Sequence, residues 1–289
     1  MEYIDNNRIY RYYKTGEETM TVLIIKIATS VIVGFFAGPA AVYVFNHMPA
    51  GWLTEYGENP QKDPRLAKGE KRIKENPWRW VYAAGFICLC LRLSLIEYSD
   101  GMLSVAPELT TETTQIAVAG LVACWILLII ALADLKFMII PDQFVLLLAL
   151  TAIGFAPLWR DSGMADAAAQ TGGLWESLNG FWQPLIGMVI GGGFMLLCAT
   201  AGKLIFGQEA FGFGDVKLCA ALGLVLGING TIATLAAAVI ISGFVAAGGL
   251  ASGRYRKGDR KPFGPYLCGC AMAYILIALP LVQSFNAAV

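Results

Sequence analysis

Apolar runs of 13 to 21 residues alternate with polar stretches along this chain, at 27–45, 80–96, 116–133, 144–159, 185–205, 216–228, 231–251 and 266–282. Within each run the hydrophobic positions are nearly continuous instead of recurring on one helical face, as in helices buried on all sides in protein and lipid. A helix needs about 20 residues to cross a bilayer. The pattern therefore predicts an all-α, polytopic membrane bundle of about eight transmembrane helices, with 216–228 the weakest candidate for a full crossing. Gly34-x-x-x-Gly38 and Gly187-x-x-x-Gly191 have the small-residue spacing that lets two helices approach closely. Trp78 and Trp80 open the second run at interface height, and Arg92 near its far end is placed to snorkel or to pair with Glu97.

The polar stretches divide the chain. Residues 1–20 form a polar tail that lacks the apolar core and cleavage pattern of a secretory signal. The first two helices occupy 21–96 and enclose a Lys/Arg-rich loop at 46–79. An acidic loop without Lys or Arg follows at 97–114, and 115–285 form the main membrane-embedded domain, interrupted by a Gly/Ala/Asp linker at 160–180.

Composition strengthens this picture. The chain is 57% hydrophobic and 15% charged, whereas soluble domains are about 45–50% and about 25%, and the mean hydropathy is +0.61. A formal net charge of zero gives no global case for nucleic acid as a partner; lipid is the partner that composition implies. Charge placement carries more information. With the 46–79 loop in the cytosol, fifteen Lys and Arg lie on that side and four (Arg8, Arg11, Lys14 and Arg160) on the other. The positive-inside rule then sets both termini outside. The seven cysteines lie in or beside apolar runs, two pairs as C-x-C and none as C-x-x-C, and read as small core residues. His47, the one histidine, cannot build a metal site alone.

Two aspartates stand out against this background. Asp134 follows the third run in Ala133-Asp134-Leu135-Lys136, and Asp215 precedes the sixth in Gly212-Phe213-Gly214-Asp215-Val216-Lys217. An ionisable group at the edge of a span is costly to keep there, which makes it a functional candidate; the plain alternative is a pair of turn residues capping helix ends. Both fall on the predicted cytosolic face, 81 positions apart, so helix packing alone could unite them. Carboxyls a few Å apart cannot both ionise cheaply and share a proton. One can then activate a water while the other donates to a carbonyl oxygen.

The neighbours fit with differing force. Gly212 and Gly214 free the backbone before Asp215 so that an extended chain can lie close; ordinary loop glycines are the alternative. Pro141 fixes the turn after the first acid. Asp142 reads as an N-terminal cap of the fourth helix more than as a reacting group. Lys136 and Lys217 either neutralise a carboxylate or mark the membrane boundary.

Asp134 followed by Ile140-Pro141-Asp142, then Gly212-Phe213-Gly214-Asp215-Val216-Lys217-Leu218, then Pro262-Phe263-Gly264-Pro265-Tyr266, resembles the type IV prepilin peptidase family of GxGD membrane aspartic proteases. The three blocks occur in that family's order and span most of the chain from the third helix to the C-terminus. The resemblance implies Asp134 and Asp215 as catalytic residues, with Gly212, Gly214, Lys217, Pro141, Asp142, Glu209 and Lys136 supporting them. Glu209 would hold the basic leader of a substrate, and Pro262, Phe263, Gly264 and Pro265 would border the substrate site; a proline-rich helix start is the alternative for the last four. The implied substrate is a type IV prepilin or pseudopilin, cut before its hydrophobic helix at the cytosolic face of a bacterial inner membrane. No cofactor is implied for peptide cleavage.

Relatives commonly also methylate the new N-terminus with S-adenosylmethionine, an activity tied to the first cytosolic loop. Phe45-Asn46-His47-Met48-Pro49 resembles the lead-in to that loop in longer members, which keeps methylation among the expectations. The loop itself contains no cysteine, so the zinc that longer members bind there is not expected. Presenilin-like proteases share Gly-x-Gly-Asp but carry Tyr-Asp and Pro-Ala-Leu, absent here. A proton-coupled transporter with paired acids and a non-catalytic pilus or secretion assembly scaffold are the other readings.

Overall fold

The computed structural model describes residues 6–54, 72–73, 77–101, 111–155, 174–206, 212–254 and 261–278. Glu209 and the side chains of Arg92 and Glu97 lie outside these described residues. The described elements are helical throughout: α1 (Asn6–His47), α2 (Trp78–Gly101), α3 (Thr111–Phe137), α4 (Asp142–Thr151), α5 (Leu174–Phe206), α6 (Phe213–Ala251) and α7 (Gly264–Ala273). A 3-10 turn, Ala152–Phe155, prolongs α4, and a π turn, Tyr274–Ala278, prolongs α7. The protein is an all-α, polytopic membrane protein. Among the described residues, four segments are long and apolar enough to cross a bilayer: Ile27–His47, Val118–Phe137, Trp182–Leu204 and Phe213–Ala251. Trp78–Leu91, Asp142–Phe155 and Gly264–Ile277 are shorter apolar helices.

The helices pack as hairpins joined by small residues. In α1 and α2, a Cβ on Gly34 would fall 2.5 Å from the Ile87 backbone, and one on Gly38 would strike Ala83 and Tyr82, so the two run antiparallel. The α3/α4 pair is likewise antiparallel: Gly154 sits against Ala119, and Gln115 Nε2 donates to the Ile153 carbonyl over 3.5 Å. Trp125 Nε1 donates to the Ala37 carbonyl at 3.0 Å, tying α3 to α1.

The sixth and seventh apolar runs form one element with a reversal inside it. Gly227, at φ 65° and ψ −168°, interrupts the helical dihedrals of α6, and a positive φ there is open to glycine at little cost. Along α5, Gly187 faces Gly223 and Gly227, and Gly191 faces Cys219 and Thr231. Residue numbers therefore fall along the first arm of α6 and rise along the second, so the chain doubles back at Gly227. The first arm, from Phe213 to Leu226, is about 21 Å long at 1.5 Å per residue, short of a full hydrocarbon thickness.

Several boundaries differ from the sequence expectation. Helix α1 begins at Asn6, inside the polar tail; α2 extends to Gly101 and α3 starts at Thr111, both inside the expected acidic loop; α5 starts at Leu174, inside the expected linker. Hydropathy marks where lipid is met, whereas a helix continues for as long as its backbone bonds are made. The core lies among α3, α4, α6 and α7, where Ile126, Leu127, Ile129, Ile130, Leu148, Leu218, Leu222 and Leu267 are fully buried.

Candidate aspartate site

Asp134 lies one turn from the end of α3, within the core and 5% exposed. The helix stops just beyond it. The Asp134 carbonyl accepts from Met138 N–H at 2.9 Å, and Met138 adopts φ 55°, the left-handed conformation that ends a helix. The chain turns through Ile139 and Ile140 to Pro141, the N-cap of α4, whose carbonyl accepts from Phe144 and Val145. Because α4 returns alongside α3, Asp142 lies at the same end of the bundle as Asp134.

Asp215 lies in the first turn of α6. Its own N–H donates to the Gly212 carbonyl at 3.1 Å, and its Oδ2 accepts from Gly212 N–H at 3.3 Å. This is the acid-to-N-cap half of a capping box. Its other oxygen, Oδ1, is buried with no hydrogen-bond partner among the described residues.

The third block meets the first acid directly. Gly264 opens α7 after the N-cap Phe263, with Pro265 in the first turn. Gly264 N–H donates to Asp134 Oδ2 at 2.9 Å in a buried contact. A Cβ on Gly264 would fall 2.6 Å from that oxygen, so the carboxyl can close on the helix start only because residue 264 has no side chain. An N–H of a helix's first turn has no intrahelical acceptor, and here a carboxylate supplies one. The Asp134 carboxyl is also near enough to Asp215 for their charges to interact, and buried Cys268 is within the same range of both acids.

The fold thus assembles the three sequence blocks at one end of the bundle. Gly264 is next to Asp134, Gly212 holds Asp215, and Gly214 packs on Ile140, where a Cβ would come within 3.2 Å of the isoleucine Cβ. Two expectations need correcting. Gly212 has an ordinary extended φ of −74°, and Gly214 is not among the positive-φ residues; space, and not backbone freedom, accounts for Gly214. Pro141 and not Asp142 is the N-cap of α4, and Asp142 lies in the helix's first turn, where an acid complements the dipole. Lys217 pairs with Asp142 Oδ1 at 2.9 Å and Oδ2 at 2.7 Å, and its ammonium lies 5.1 Å from the Phe213 ring centroid. Lys136 is exposed in the last turn of α3, where a cation complements the helix dipole. Pro262 is half-buried and Phe263 buried. The donor role of Gly264 was not read from the sequence; a glycine between Phe263 and Pro265 at a helix start was the available signal.

The first polar loop is stitched to the same end. Asn46 donates from Nδ2 to the Ile73 carbonyl and accepts from Ile73 N–H, at 3.1 and 2.8 Å, while Arg72 Nη1 donates to the Phe45 carbonyl at 2.9 Å. Phe45 packs on Phe137 and Trp52 on Phe144. These bonds of Asn46 and Arg72 are made to backbone groups, so they fix the course of the described part of the loop. Among the described residues no three His, Cys, Asp or Glu converge as metal ligands would.

Comparison with known proteins finds relatives for the part of the chain that carries this geometry. Residues 121–247 match the model of the type IV leader peptidase family. The chain is similar to the prepilin leader peptidase/N-methyltransferase of Aeromonas hydrophila, 31% identical over 197 residues that cover 66% of this chain and 61% of that protein. It is also similar to proteins of the same name from Bacillus subtilis (strain 168), 30% identical over 52% of each chain, and from Burkholderia pseudomallei (strain K96243), 28% identical over 65% of this chain and 56% of that one. The chain thus spans about three-fifths of the length of the first curated relatives it matches. No solved structure matches it. Both acid-bearing turns lie inside the matched segment, so the similarity to the type IV leader peptidase family takes in Asp134 and Asp215 together.

Proposed function

We propose that this protein is a membrane aspartic endopeptidase that removes the short basic leader from type IV prepilins or pseudopilins, with Asp134 and Asp215 as the catalytic pair. One observation carries the reading. Two carboxyls from distant segments lie at the same end of the bundle within range of each other's charge, each with one oxygen held by a backbone N–H, while Asp215 Oδ1 is buried and unbonded among the described residues. A backbone donor fixes the direction of each carboxyl without neutralising it. The unbonded oxygen is then free to take a proton from water.

In the reaction, the ionised member of the pair accepts a proton from a water as that water attacks the scissile carbonyl. The protonated member donates to the carbonyl oxygen, and the leaving amine takes a proton as the tetrahedral species collapses. The end of the bundle that carries the acids also carries Lys136, Lys217, Arg254 and Lys261, which supports a cytosolic site under the positive-inside rule and a bacterial inner-membrane location. Glu209, three residues before Gly212, would hold the basic leader, and Pro262–Pro265 would border the substrate.

The test is leader removal from a type IV prepilin co-reconstituted with the protein in liposomes. Asp134→Asn and Asp215→Asn are each expected to reduce cleavage by a factor of about a thousand or more, since acid–base groups typically contribute about 10²–10⁴ each. Cleavage that survives either change would refute the pair, and a transporter or scaffold would give none in the wild type. The names of the relatives include N-methyltransferase; adding S-adenosylmethionine to the same assay and weighing the new N-terminus tests that second activity.

A further inference from the structure

We propose that the Lys217–Asp142 ion pair is a positioning device that sets where Asp215 sits relative to Asp134; the proposal rests on the catalytic reading of those acids. The two acids reach the site on separate elements. Asp134 and Asp142 flank the α3–α4 turn, whereas Asp215 and Lys217 share the first turn and a half of α6. The chain enters α6 at Gly212 after a long excursion through α5, so no short covalent link fixes the depth of Asp215 against α3. Beyond the apolar packing of α6 on α4, the described contacts at the acid-bearing end of that gap include Gly214 packed on Ile140 and Lys217 bonded to both oxygens of Asp142, a residue 75 positions away.

Helix geometry separates the two functions. Residues 215 and 217 project about 200° apart around α6, so Asp215 faces the interior while Lys217 faces α4. The pair is open to solvent, with side chains 38% and 62% exposed, and Asp142 is the ion-pair partner of Lys217 among the described residues. Lys217 therefore does not touch the reacting atoms and acts through Asp142. An exposed pair adds little to global stability, yet a small shift of one catalytic group can cost a large factor in rate. Loss of the pair should thus register in catalysis while the fold is retained.

Two readouts separate this proposal from the peptidase reading. The first is kinetic, with the prepilin in liposomes. Lys217→Met and Asp142→Asn are each expected to lower kcat about threefold to tenfold at unchanged KM and unchanged pH–rate profile, and the double variant to fall no further than the worse single one. The exchange Lys217→Asp with Asp142→Lys restores most of the rate. The second readout needs no activity. Asp134→Cys and Asp215→Cys are introduced together, and their oxidative cross-link is quantified by mass spectrometry with and without Lys217→Met. A severalfold lower cross-link yield without the lysine is expected, and an unchanged yield overturns the proposal whatever the kinetics. Absence of prepilin cleavage by the wild type sinks the peptidase reading, and the cross-link still decides the positioning claim.

Discussion

Asp134 and Gly264 show how much one absent side chain can decide. The buried hydrogen bond between them requires residue 264 to approach the carboxyl more closely than any Cβ permits. Gly264→Ala is expected to displace Asp134 and lower prepilin cleavage by about a hundredfold, the scale of loss for a misplacement near 1 Å, with the variant still inserted in the membrane. Met138 offers a complementary test. It is 55% exposed and held at φ 55°, a conformation that costs a non-glycine residue about 1–2 kcal/mol and is worse for a β-branched one. Met138→Val is expected to lower stability by about 1–2 kcal/mol, and Met138→Gly to raise it, both read as unfolding midpoints in detergent. The sequence offered both acids as candidates because ionisable groups are conspicuous among apolar runs. It did not offer Gly264 as the donor, since a backbone N–H has no signature in composition or spacing.

At the scale of elements, the glycines of α5 and α6 decide how the acid-bearing helix is seated. A Cβ on Gly223 would strike the Gly187 carbonyl, and one on Gly191 would fall 2.5 Å from the Cys219 carbonyl, whereas Gly193 has open space around it. Gly223→Ala and Gly191→Ala are expected to destabilise the protein by about 1–3 kcal/mol each, as overpacking does. Gly193→Ala should leave stability unchanged or raise it by up to about 1 kcal/mol, since alanine is the better helix former; thermal unfolding in detergent checks all three. The sequence pattern anticipated this seam as Gly187-x-x-x-Gly191 and flagged 216–228 as short for a crossing. It did not show that the chain reverses at Gly227, because one positive φ among apolar helical residues leaves no mark on hydropathy.

For the whole molecule, the arrangement gathers the acids, the α3–α4 turn, the anchored ends of the first loop and the basic residues at one end of the bundle. If that end faces the cytosol, a cysteine introduced at Arg254 will react with a membrane-impermeant maleimide only when the cytosolic face is accessible, and one at Arg160 only from outside. Reversed labelling would overturn the orientation argued from fifteen against four basic residues. Asn46→Ala removes both bonds that hold Ile73 and is expected to cost about 1–3 kcal/mol through the buried groups left unpaired.

The amino-acid sequence alone determined that this is a multi-helix membrane protein, because length and apolarity must satisfy the bilayer whatever the helices pack against. It also singled out Asp134 and Asp215, because few ionisable groups stand so close to apolar runs. Tertiary structure alone decided that Gly264 holds Asp134, that Lys217 reaches Asp142 and not an acid of the pair, and that α6 folds back at Gly227. Those facts depend on which helix faces lie against one another. In a chain with small residues in nearly every helix, many pairings are sterically open, and only the packed bundle selects among them.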